Sequence, residues 1–547
     1  MKLGISHGFP SALVFLLLIA IYPPSFTFST NEEESKVRLM IAADIEDVLG
    51  RSFDYIIVGG GTSGCPLAAT LSQTHSVLLL ERGGLPYGNP LIQERQNFGD
   101  AYLQTDEFTS VSQHFVSEDG VSNQRGRVLG GSTAINGGFY SRASGEDVKR
   151  AGWDPELVRE AFEWVESKIV FPAPLTAWQF ALVGGMVEAG IRPLNDFSLE
   201  HLKGTKVGGG IFDAHRRRHT SADLLAAGNP HKLTILLNAT VQNAIFHDAG
   251  GGNQPRAHGV RFIQSDGDPD KFYEVFVNDR EVSGSWGEVV LCAGALGSPQ
   301  ILMLSGIGPK EHLIHFNIAP LIDARQVGQL MQDNPTITCP LDYSSHVVPQ
   351  LHSDPPQVAG IENDFRFFIE TAASHPSLNT SLQVPILGKL AHPLSRGSLR
   401  LLSRDPRENP FVEFNYLAEE KDLDTCVEMV RMIDKVARSR TVSGFLQRKQ
   451  SILPKASGTS IDQELRDFCK KNVVTIFHYH GGCVVGSVVD RDYRVLGVEG
   501  LRVIDFSTFL DSPGTNPMAT VLMLGRYQGV KMLREKKQTV REPFSTI

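Results

Sequence analysis

The sequence predicts an α/β fold, α+β overall, with one domain on a parallel sheet and a second domain on an antiparallel sheet with helices. Three observations support this prediction. Residues 53–81 run strand, glycine turn, helix and strand; residues 288–308 repeat that order in a weaker form; and residues 336–471 break into short apolar runs separated by prolines and polar turns. A chain of 547 residues is long enough for two or more domains.

The first unit, residues 53–81, has the pattern of a dinucleotide-binding unit. Gly59, Gly61 and Gly64 form a GxGxxG pattern directly after an apolar strand. Such glycines let the backbone approach a pyrophosphate, and the following helix offers free N–H groups to the anion. Glu81 ends the second strand 20 residues after Gly61, where a carboxylate can accept a hydrogen bond from a ribose hydroxyl. The unit predicts a Rossmann-like domain with a bound dinucleotide, and by itself it allows NAD as readily as FAD.

Two further segments before residue 220 have more than one interpretation. Gly126–Tyr140 (GRVLGGSTAINGGFY) is a glycine loop that can press its backbone against a flat ring, with Asn136 placed to hydrogen-bond a heterocycle; a tight structural turn is the alternative. His215–His219 (HRRRH) is the most basic patch of the chain. We interpret it as a solvated loop that leads into a helix capped near Ser221, with contact to a phosphate as the alternative.

Two helices are predicted from local signals. Trp153–Val165 has the apolar periodicity of an amphipathic helix and is predicted to open a separate domain. In Glu288–Gly308 a buried strand runs into a glycine turn. Ser298 is predicted as the N-cap of the next helix with Pro299 at its first position, and Gly306 is predicted to end it.

The C-terminal segment carries the densest group of chemically active side chains. His478 and His480 lie two residues apart and would share a face on a strand, but no third ligand is spaced near them, so we expect no metal site. A histidine beside glycines in a dinucleotide-binding chain is a candidate general base. Asn516, followed by Pro517 and a helical run, has the signature of an N-cap, and the same helix would direct its N–H groups and dipole at a ligand in front of it.

Composition and charge exclude several classes of partner. The net charge of −9 and a pI near 6 argue against a general nucleic-acid or anionic-membrane surface, since both require a basic face. Six cysteines include no CxxC pair, so a zinc site or redox dithiol is not expected. Cys65 and Cys292 are predicted to be buried thiols, and one disulfide among the later cysteines is expected without assigned partners.

The N-terminus predicts a secretory signal peptide over residues 1–29. Lys2 precedes the apolar run Ala12–Tyr22, which is too short to span a membrane, and small or polar residues follow; a retained anchor is the alternative. We therefore expect a secreted protein, extracellular (cell wall) or vacuolar, without stable membrane insertion after cleavage. Two glycosylation sequons, at Asn238 and Asn379, are relevant in that pathway.

Together these motifs resemble the glucose-methanol-choline (GMC) flavoprotein oxidoreductases, and more closely the secreted plant branch that includes HOTHEAD-like proteins and (R)-mandelonitrile lyases. GRVLGGSTAIN is similar to the first half of the N-terminal family signature, and Gly294–Gly308 matches the second signature throughout. HYHGGC and SPGTNP, the segments around His478 and Asn516, are similar to the active-site segments of the plant branch. The resemblance extends from about Phe53 to Leu533.

The resemblance implies FAD as the cofactor. It implies that Gly59, Gly61, Gly64 and Glu81 hold the ADP half and that Val241 lies near the adenine. It also implies that Val128 and the loop from Gly130 to Asn136 line the isoalloxazine ring, and that Asp505 completes the flavin site. The full set of implied cofactor-binding residues is Gly59, Gly61, Thr62, Ser63, Gly64, Glu81, Arg82, Val128, Gly131, Ser132, Asn136, Val241, Asp505, Asn516, Pro517 and Met518. Phe506, where relatives often have glycine, departs from the pattern and is expected to crowd the diphosphate.

The domain limits follow from the same resemblance and from the change in character near residue 336. A discontinuous FAD-binding domain is expected over residues 50–135, 205–335 and 475–540, and a substrate-binding domain over residues 136–204 and 336–474.

The resemblance implies two activities from different classes. In an alcohol oxidase or dehydrogenase, His478 takes the hydroxyl proton and Asn516 hydrogen-bonds the alkoxide while hydride passes to flavin N5, with molecular oxygen or another acceptor reoxidising the flavin. In an (R)-mandelonitrile (hydroxynitrile) lyase, His478 acts on a cyanohydrin and FAD stays non-redox. The lyases are expected to carry a second histidine at the position of Asn516. Because an asparagine cannot shuttle a proton, the sequence favours alcohol oxidation over cyanohydrin cleavage. An inactive binding paralogue is a third possibility.

Overall fold

The computed structural model describes residues 30–97, 99–172, 174–247, 254–279, 287–344, 356–371, 383–453 and 460–541. The predicted signal peptide and the sequon at Asn379 lie outside the described residues. Asn238, the other sequon asparagine, is exposed in the turn between two strands.

A five-stranded parallel sheet forms the centre of the first domain. Its strands, in spatial order, are Leu233–Leu236, Val77–Leu80, Tyr55–Val58, Glu288–Leu291 and Leu501–Val503. Helices or other strands cover both faces, so the strands are continuous apolar runs with almost no exposed side chain. Because all five strands point the same way, their carboxyl ends meet at one edge of the sheet.

Two layers cover this sheet. One face packs against Gly64–Leu71, Pro155–Ile169 and the long C-terminal helix Met518–Arg541. The other face packs against Gly294–Leu304 and a four-stranded sheet. That sheet has the spatial order Ser52–Phe53, Phe272–Val277, Arg256–Gln264 and Ala239–His247. This arrangement confirms the predicted α/β fold.

The second domain is built on a seven-stranded sheet that is antiparallel except for its last pair. In spatial order its strands are Val473–Val474, Thr336–Asp342, Gln383–Leu390, Phe367–Glu370, Val358–Ile361, Gly204–Val207 and Leu194–Phe197. Its helices, Ala177–Glu188, Glu420–Ala437, Arg440–Leu446 and Ile461–Asn472, contribute to one apolar core with the sheet. A disulfide joins Cys426 to Cys469, which agrees with the prediction of one disulfide among the later cysteines. Cys65 and Cys292 are buried free thiols, as predicted.

Shorter elements connect these layers. Within the described ranges, the remaining helices are Thr30–Arg38, Pro90–Gln93, Gly145–Arg150 and Lys310–His315, with 3-10 turns at Ile45–Asp47, Arg95–Asn97, Asp100–Tyr102, Gly131–Ala134, Ser221–Ala227 and Phe506–Thr508. The remaining strands are Ser112–Val116, Ser122–Gly126, Phe139–Tyr140, Phe171–Pro172, Gly209–Gly210, Ile307–Gly308, Ile322–Asp323, Gln329–Met331, Gly397–Arg400 and Phe411–Glu413.

Helix Gly294–Leu304 corrects one local prediction. It begins four residues before Ser298, so Pro299 lies inside the helix and Ser298 is not its N-cap. The Ser298 hydroxyl instead accepts from the Ala293 N–H and donates to Asp505. Gly306 follows the end of the helix with φ of +82°, as predicted.

The basic segment agrees only in part with its interpretation as a solvated loop, because His215 and Arg216 are exposed but Arg218 and His219 are not. Arg218 is buried and donates to the carbonyls of Ile92 and Thr133. His219 is buried between Asp213 and Asp223. The following 3-10 turn is capped by Thr220 rather than Ser221. Arg218 and His219 are buried because carbonyl and carboxylate oxygens in the interior pair with them. The local charge pattern of the sequence does not reveal these partners.

The helix predicted at Trp153–Val165 runs from Pro155 to Ile169. Its apolar side joins the core of the parallel sheet, so the prediction that it opens a separate domain is wrong. Over the described residues, no helix is both long and apolar enough to cross a membrane.

Candidate active site

A deep cleft runs from the carboxyl edge of the parallel sheet to the antiparallel sheet of the second domain. It holds about 2150 Å³ of empty space, including the part that opens to solvent. The cleft brings together most of the residues that the sequence singled out. Those that line it are Gly59, Gly61, Thr62, Ser63, Glu81, Arg82, Gly131, Ser132, Asn136, Val241, His478, Asp505, Asn516, Pro517 and Met518.

Two predicted residues, Gly64 and Val128, do not line the cleft. Gly64 lies behind the glycine turn, where a Cβ would come within 1.9 Å of the Gly59 carbonyl oxygen. Val128 is fully buried in a small apolar cluster with Ile92 and Ile135. Both residues therefore support the cleft wall from behind rather than forming its surface.

The glycine turn at one end of the cleft has the geometry of a phosphate cradle. Gly59 has φ of +103°, and a Cβ there would meet the Cys292 carbonyl at 2.5 Å. Gly61 faces open space, since a Cβ would find only the Gly131 Cα at 3.8 Å. Ser63 precedes helix Gly64–Leu71 without a side-chain capping bond. The Cys65 N–H donates to the Gly61 carbonyl and Pro66 has no N–H, so the Gly64 N–H is the donor of the first helical turn that is left for an anion.

Glu81 and Arg82 follow the neighbouring strand. The Glu81 carboxylate accepts from the N–H groups of Gly60 and Gly83, each at 2.8 Å, and burial raises its pKa. Arg82 donates to Gln113 and to the Gly126 carbonyl, and burial lowers its pKa to about 10. Glu81 is thus fixed by backbone donors at the position where the sequence predicted a ribose contact.

The loop from Gly130 to Asn136 forms the floor next to the cradle. Gly130 has φ of +100°, and a Cβ on Gly131 would lie 2.7 Å from the Gly61 Cα, so two glycine segments pack directly against each other. Asn136 accepts from the Gly138 N–H at 2.9 Å and donates to the Met518 sulfur at 3.1 Å. Its amide therefore joins this loop to the C-terminal helix.

His478 lies at the far end of the cleft, in a loop. Its main-chain N–H donates to Asp333 at 2.9 Å, and its Nδ1 lies 3.4 Å from the Nζ of Lys389. The pKa of His478 is well below its ordinary value because of burial, then because of Lys389 and His480. The imidazole is therefore neutral at physiological pH.

Phe477, the residue before His478, has φ of +62° and stacks on Tyr102 with ring centres 5.4 Å apart. Such a backbone conformation is costly for an aromatic residue and is found where a site needs it. It turns the chain so that the next side chain, His478, lines the cleft.

Asn516 does not act as the N-cap that its sequence context predicts. Its Oδ1 is buried and accepts no hydrogen bond, while the side chain faces Glu370 of the antiparallel sheet and lowers the pKa of that carboxyl. A buried amide oxygen without a partner is costly. This oxygen is free to accept a hydrogen bond from a ligand in the cleft.

Phe506 was expected to crowd the cofactor. Its ring stacks on His480 with centres 4.9 Å apart and also contacts Phe509 edge-on. The Nδ1 of His480 lies 3.0 Å from the carbonyl oxygen of His478, and its Nε2 contacts Gln332.

The described part of the chain has no group of three or more metal-ligating side chains.

Three functional-site residues were missed by sequence reasoning: Asp333, Glu370 and Lys389. Asp333 accepts from the hydroxyls of Thr475 and Tyr416 as well as from His478. Burial raises the pKa of its carboxyl to about 6. All three residues lie in or beside short strands of the second domain, without a motif around them. A charged residue inside a strand pattern was the one available signal.

These features fit FAD. In the cradle, the space beside Gly61 is open to a ligand, and the helix that follows has no side-chain cap. At the far end of the cleft lie the neutral His478 and the unpartnered amide oxygen of Asn516. Fold and site together define a flavin-dependent oxidoreductase class of protein.

Comparison with known proteins gives the family. Two family models, both described as GMC oxidoreductase, match residues 53–336 and 393–525. The chain belongs to the GMC oxidoreductase family, and its cofactor is FAD.

Several curated plant proteins are similar over most of their length. The chain is 44% identical to Protein HOTHEAD of Arabidopsis thaliana, with 89% of each chain covered. It is 43% identical to an (R)-mandelonitrile lyase-like protein of the same species, with 96% of this chain and 98% of the relative covered. It is 38% identical to the sinalpyl alcohol oxidase Nec3 of Nesocodon mauritianus, with 96% and 97% covered.

Solved structures confirm the fold. Pyridoxine 4-oxidase superposes with a TM-score of 0.76 at 22% identity, covering 88% of this chain and 99% of that one. Formate oxidase of Aspergillus oryzae RIB40 superposes with a TM-score of 0.75 at 20% identity, covering 89% and 99%.

Proposed function

We propose that this protein is a secreted, FAD-dependent oxidoreductase that oxidises an alcohol to an aldehyde or ketone, with His478 as the general base. The observation that carries the proposal is the pairing of two side chains at one end of the cleft. His478 is neutral there, and Asn516 has an unpartnered amide oxygen. The alcohol oxidase Nec3, at 38% identity, is consistent with this chemistry.

The chain's own residues do three things in this reaction. His478 accepts the hydroxyl proton at a ring nitrogen, and an amide N–H of Asn516 donates a hydrogen bond to the substrate oxygen, which keeps the reacting carbon in place. The wall residues Phe139, Leu387 and Ile476 give the pocket an apolar character that excludes water. Bound FAD supplies the acceptor for the hydride that leaves the carbinol carbon.

Hydroxynitrile cleavage is the second candidate, because relatives named (R)-mandelonitrile lyases cover nearly the whole chain at 37% identity. That reaction also needs a base, which His478 provides. Asn516 weighs against it, since an amide carries no transferable proton. We therefore rank the redox reaction first.

An anaerobic experiment tests the proposal. The purified holoprotein is mixed with aromatic and aliphatic primary alcohols, and the oxidised flavin absorbance is followed; we expect it to bleach. Release of cyanide from mandelonitrile with an unchanged flavin spectrum, and no bleaching by any alcohol, would replace the redox proposal with the lyase.

The role of His478 is tested separately. His478→Gln should lower the rate of flavin reduction by about 10²–10⁴-fold while the flavin-to-protein ratio stays unchanged. His231→Gln, which alters an exposed histidine far from the cleft, should have the wild-type rate. Full activity in His478→Gln would refute the assignment of the base.

The domain limits and the destination of the chain are also proposals. We propose an FAD-binding domain over residues 50–135, 205–335 and 475–540 and a substrate-binding domain over residues 136–204 and 336–474, with two changes that the packing requires. Helix Pro155–Ile169 packs on the parallel sheet and goes with the FAD-binding domain, and strand Gly204–Val207 belongs to the seven-stranded sheet and goes with the substrate-binding domain. The plant relatives and the predicted signal peptide support an extracellular or vacuolar location. Mass spectrometry of the mature protein from plant tissue would give the cleavage site and the compartment.

A further inference from the structure

Lys389 is a fully buried lysine beside the proposed base. It belongs to strand Gln383–Leu390, and its Nζ lies 3.4 Å from Nδ1 of His478 and 4.9 Å from the centre of the Phe368 ring. Lysine is among the residues least often buried completely, because its ammonium loses its hydration. Its position against a ring nitrogen of His478 therefore calls for a functional explanation.

Several titratable groups face Lys389. Glu370 is on the neighbouring strand, Asp333 lies before strand Thr336–Asp342, and His201 and His478 approach from two loops. Burial lowers the pKa of Lys389 to about 8, and the two carboxyl groups oppose this shift. Burial raises the pKa of Glu370, whose Oε2 accepts no hydrogen bond. Lys389 can thus exist as a neutral amine near physiological pH.

The protonation state of Lys389 decides which ring nitrogen of His478 is a base. As an ammonium, Nζ donates to Nδ1, so the neutral imidazole carries its proton on Nε2 and cannot accept another there. As an amine, Nζ accepts from Nδ1–H, and Nε2 has a free lone pair. Because Nδ1 is engaged by Lys389, Nε2 is the nitrogen left for a substrate in the cleft.

We propose that Lys389 is a positioning residue that sets the tautomer of His478 and receives its Nδ1 proton during the reaction. This inference rests on the proposed function. In the step, the substrate O–H bond breaks and an Nε2–H bond forms, while the Nδ1–H bond breaks and an Nζ–H bond forms. The hydroxyl electron pair stays on the substrate oxygen, and the positive charge comes to rest on Lys389, which faces the Glu370 carboxyl group.

The pH profile of anaerobic flavin reduction is the first test. In the wild type the rate should rise with pH, reach half of its plateau near pH 8 and level off above about pH 9, with a value at pH 6.5 about 30-fold below the plateau, as a single titration centred near 8 requires. Lys389→Met should be slower at pH 9 and flat from pH 6.5 to 9, because His478 itself titrates below that range. Persistence of the midpoint near pH 8 in Lys389→Met would overturn the proposal.

Two further variants serve as controls for this test. Lys206→Met removes another fully buried lysine, one that donates to Ser141 and Ser198 instead of His478, and should keep the wild-type midpoint. Glu370→Gln removes a carboxyl that raises the pKa of Lys389, so it should move the midpoint to lower pH. If Lys389→Met does not fold, an unmoved midpoint in Glu370→Gln overturns the proposal.

A readout without substrate separates this inference from the proposed function. Diethyl pyrocarbonate acylates an unprotonated imidazole nitrogen, and peptide mapping gives its rate at His478 relative to added N-acetylhistidine. This relative rate should rise through about pH 8 in the wild type and lose that midpoint in Lys389→Met. If no alcohol reduces the flavin but the acylation rate of the wild type has its midpoint near pH 8, the proposed alcohol oxidation is refuted and the control of the tautomer by Lys389 is supported. If alcohols reduce the flavin but the acylation rate has no such midpoint, alcohol oxidation is supported and the role of Lys389 is refuted.

Discussion

The Ser298 hydroxyl donates a hydrogen bond to the Asp505 carboxylate at 2.5 Å. Asp505 follows the parallel strand Leu501–Val503, and Ser298 lies in the helix that follows the neighbouring strand. The same carboxylate oxygen accepts from the Gly294 N–H at 2.9 Å, at the start of that helix. One buried carboxylate therefore joins two elements at the edge of the cofactor cleft.

Asp505→Ala should lower both stability and FAD content. It leaves the Ser298 hydroxyl and the N–H groups of Gly294 and Ser507 without their buried acceptor, at a cost of about 3 kcal/mol. Ser298→Ala removes one of these bonds and the bond that the hydroxyl accepts from the Ala293 N–H, and it should cost about 2 kcal/mol. Urea denaturation of both variants, with flavin-to-protein ratios, measures the difference; equal losses would show that the bonds from Gly294 and Ser507 together contribute no more than the one from Ala293.

Two glycines of the cradle should respond differently to alanine. A Cβ on Gly64 would clash with the Gly59 carbonyl oxygen at 1.9 Å, so Gly64→Ala should destabilise the apoprotein by about 3 kcal/mol or more. A Cβ on Gly61 meets nothing closer than 3.8 Å and should leave the apoprotein unchanged while lowering FAD affinity about tenfold or more. Thermal unfolding of the apoproteins and FAD titration separate the two effects. Normal FAD binding by Gly61→Ala would mean that the pyrophosphate does not approach this turn.

His219 should make stability depend on pH. Between Asp213 and Asp223 its pKa is raised to about 9, against about 6.5 in an unfolded chain. The folded state therefore holds this proton more tightly, and the stabilisation is complete below pH 6.5 and is lost as pH rises through 9. Its size is about 3 kcal/mol.

The measurement for His219 is the difference in unfolding free energy between the wild type and His219→Gln from pH 6 to 10. This difference should shrink as pH rises. His231→Gln, at an exposed position, serves as the control and should show no such trend. A difference that stays constant over the range would show that folding does not raise the pKa of this histidine.

The disulfide between Cys426 and Cys469 should stabilise the second domain. It closes a loop of 43 residues, for which restriction of the unfolded chain gives about 4 kcal/mol as an upper value. The double variant Cys426→Ser, Cys469→Ser should unfold at a lower temperature than the oxidised wild type. Reductant should lower the unfolding temperature of the wild type and leave that of the double variant unchanged; a drop in both would point to another cause.

Local signals were sufficient for much of the site. The GxGxxG turn, Glu81 and the glycine loop at Asn136 each depend on backbone freedom or on short spacing, which sequence displays directly, and all of them meet in the cleft. Local signals failed where a distant residue competes. Ser298 and Asn516 both have N-cap signatures in the sequence. In the structure the Ser298 hydroxyl donates to Asp505 instead, and the Asn516 side chain lines the cleft.

The sequence by itself determined the α/β fold, the dinucleotide cradle and the candidate base, because strand periodicity, glycine spacing and motif resemblance are properties of contiguous residues. Tertiary structure alone decided the environment of that base. Lys389 and Asp333 reach His478 from 89 and 145 positions away along the chain, and Glu370, 108 positions away, faces Lys389. No local pattern encodes such a contact, since it follows from how the antiparallel sheet is placed against the parallel one. The charge and tautomer of His478 depend on that placement.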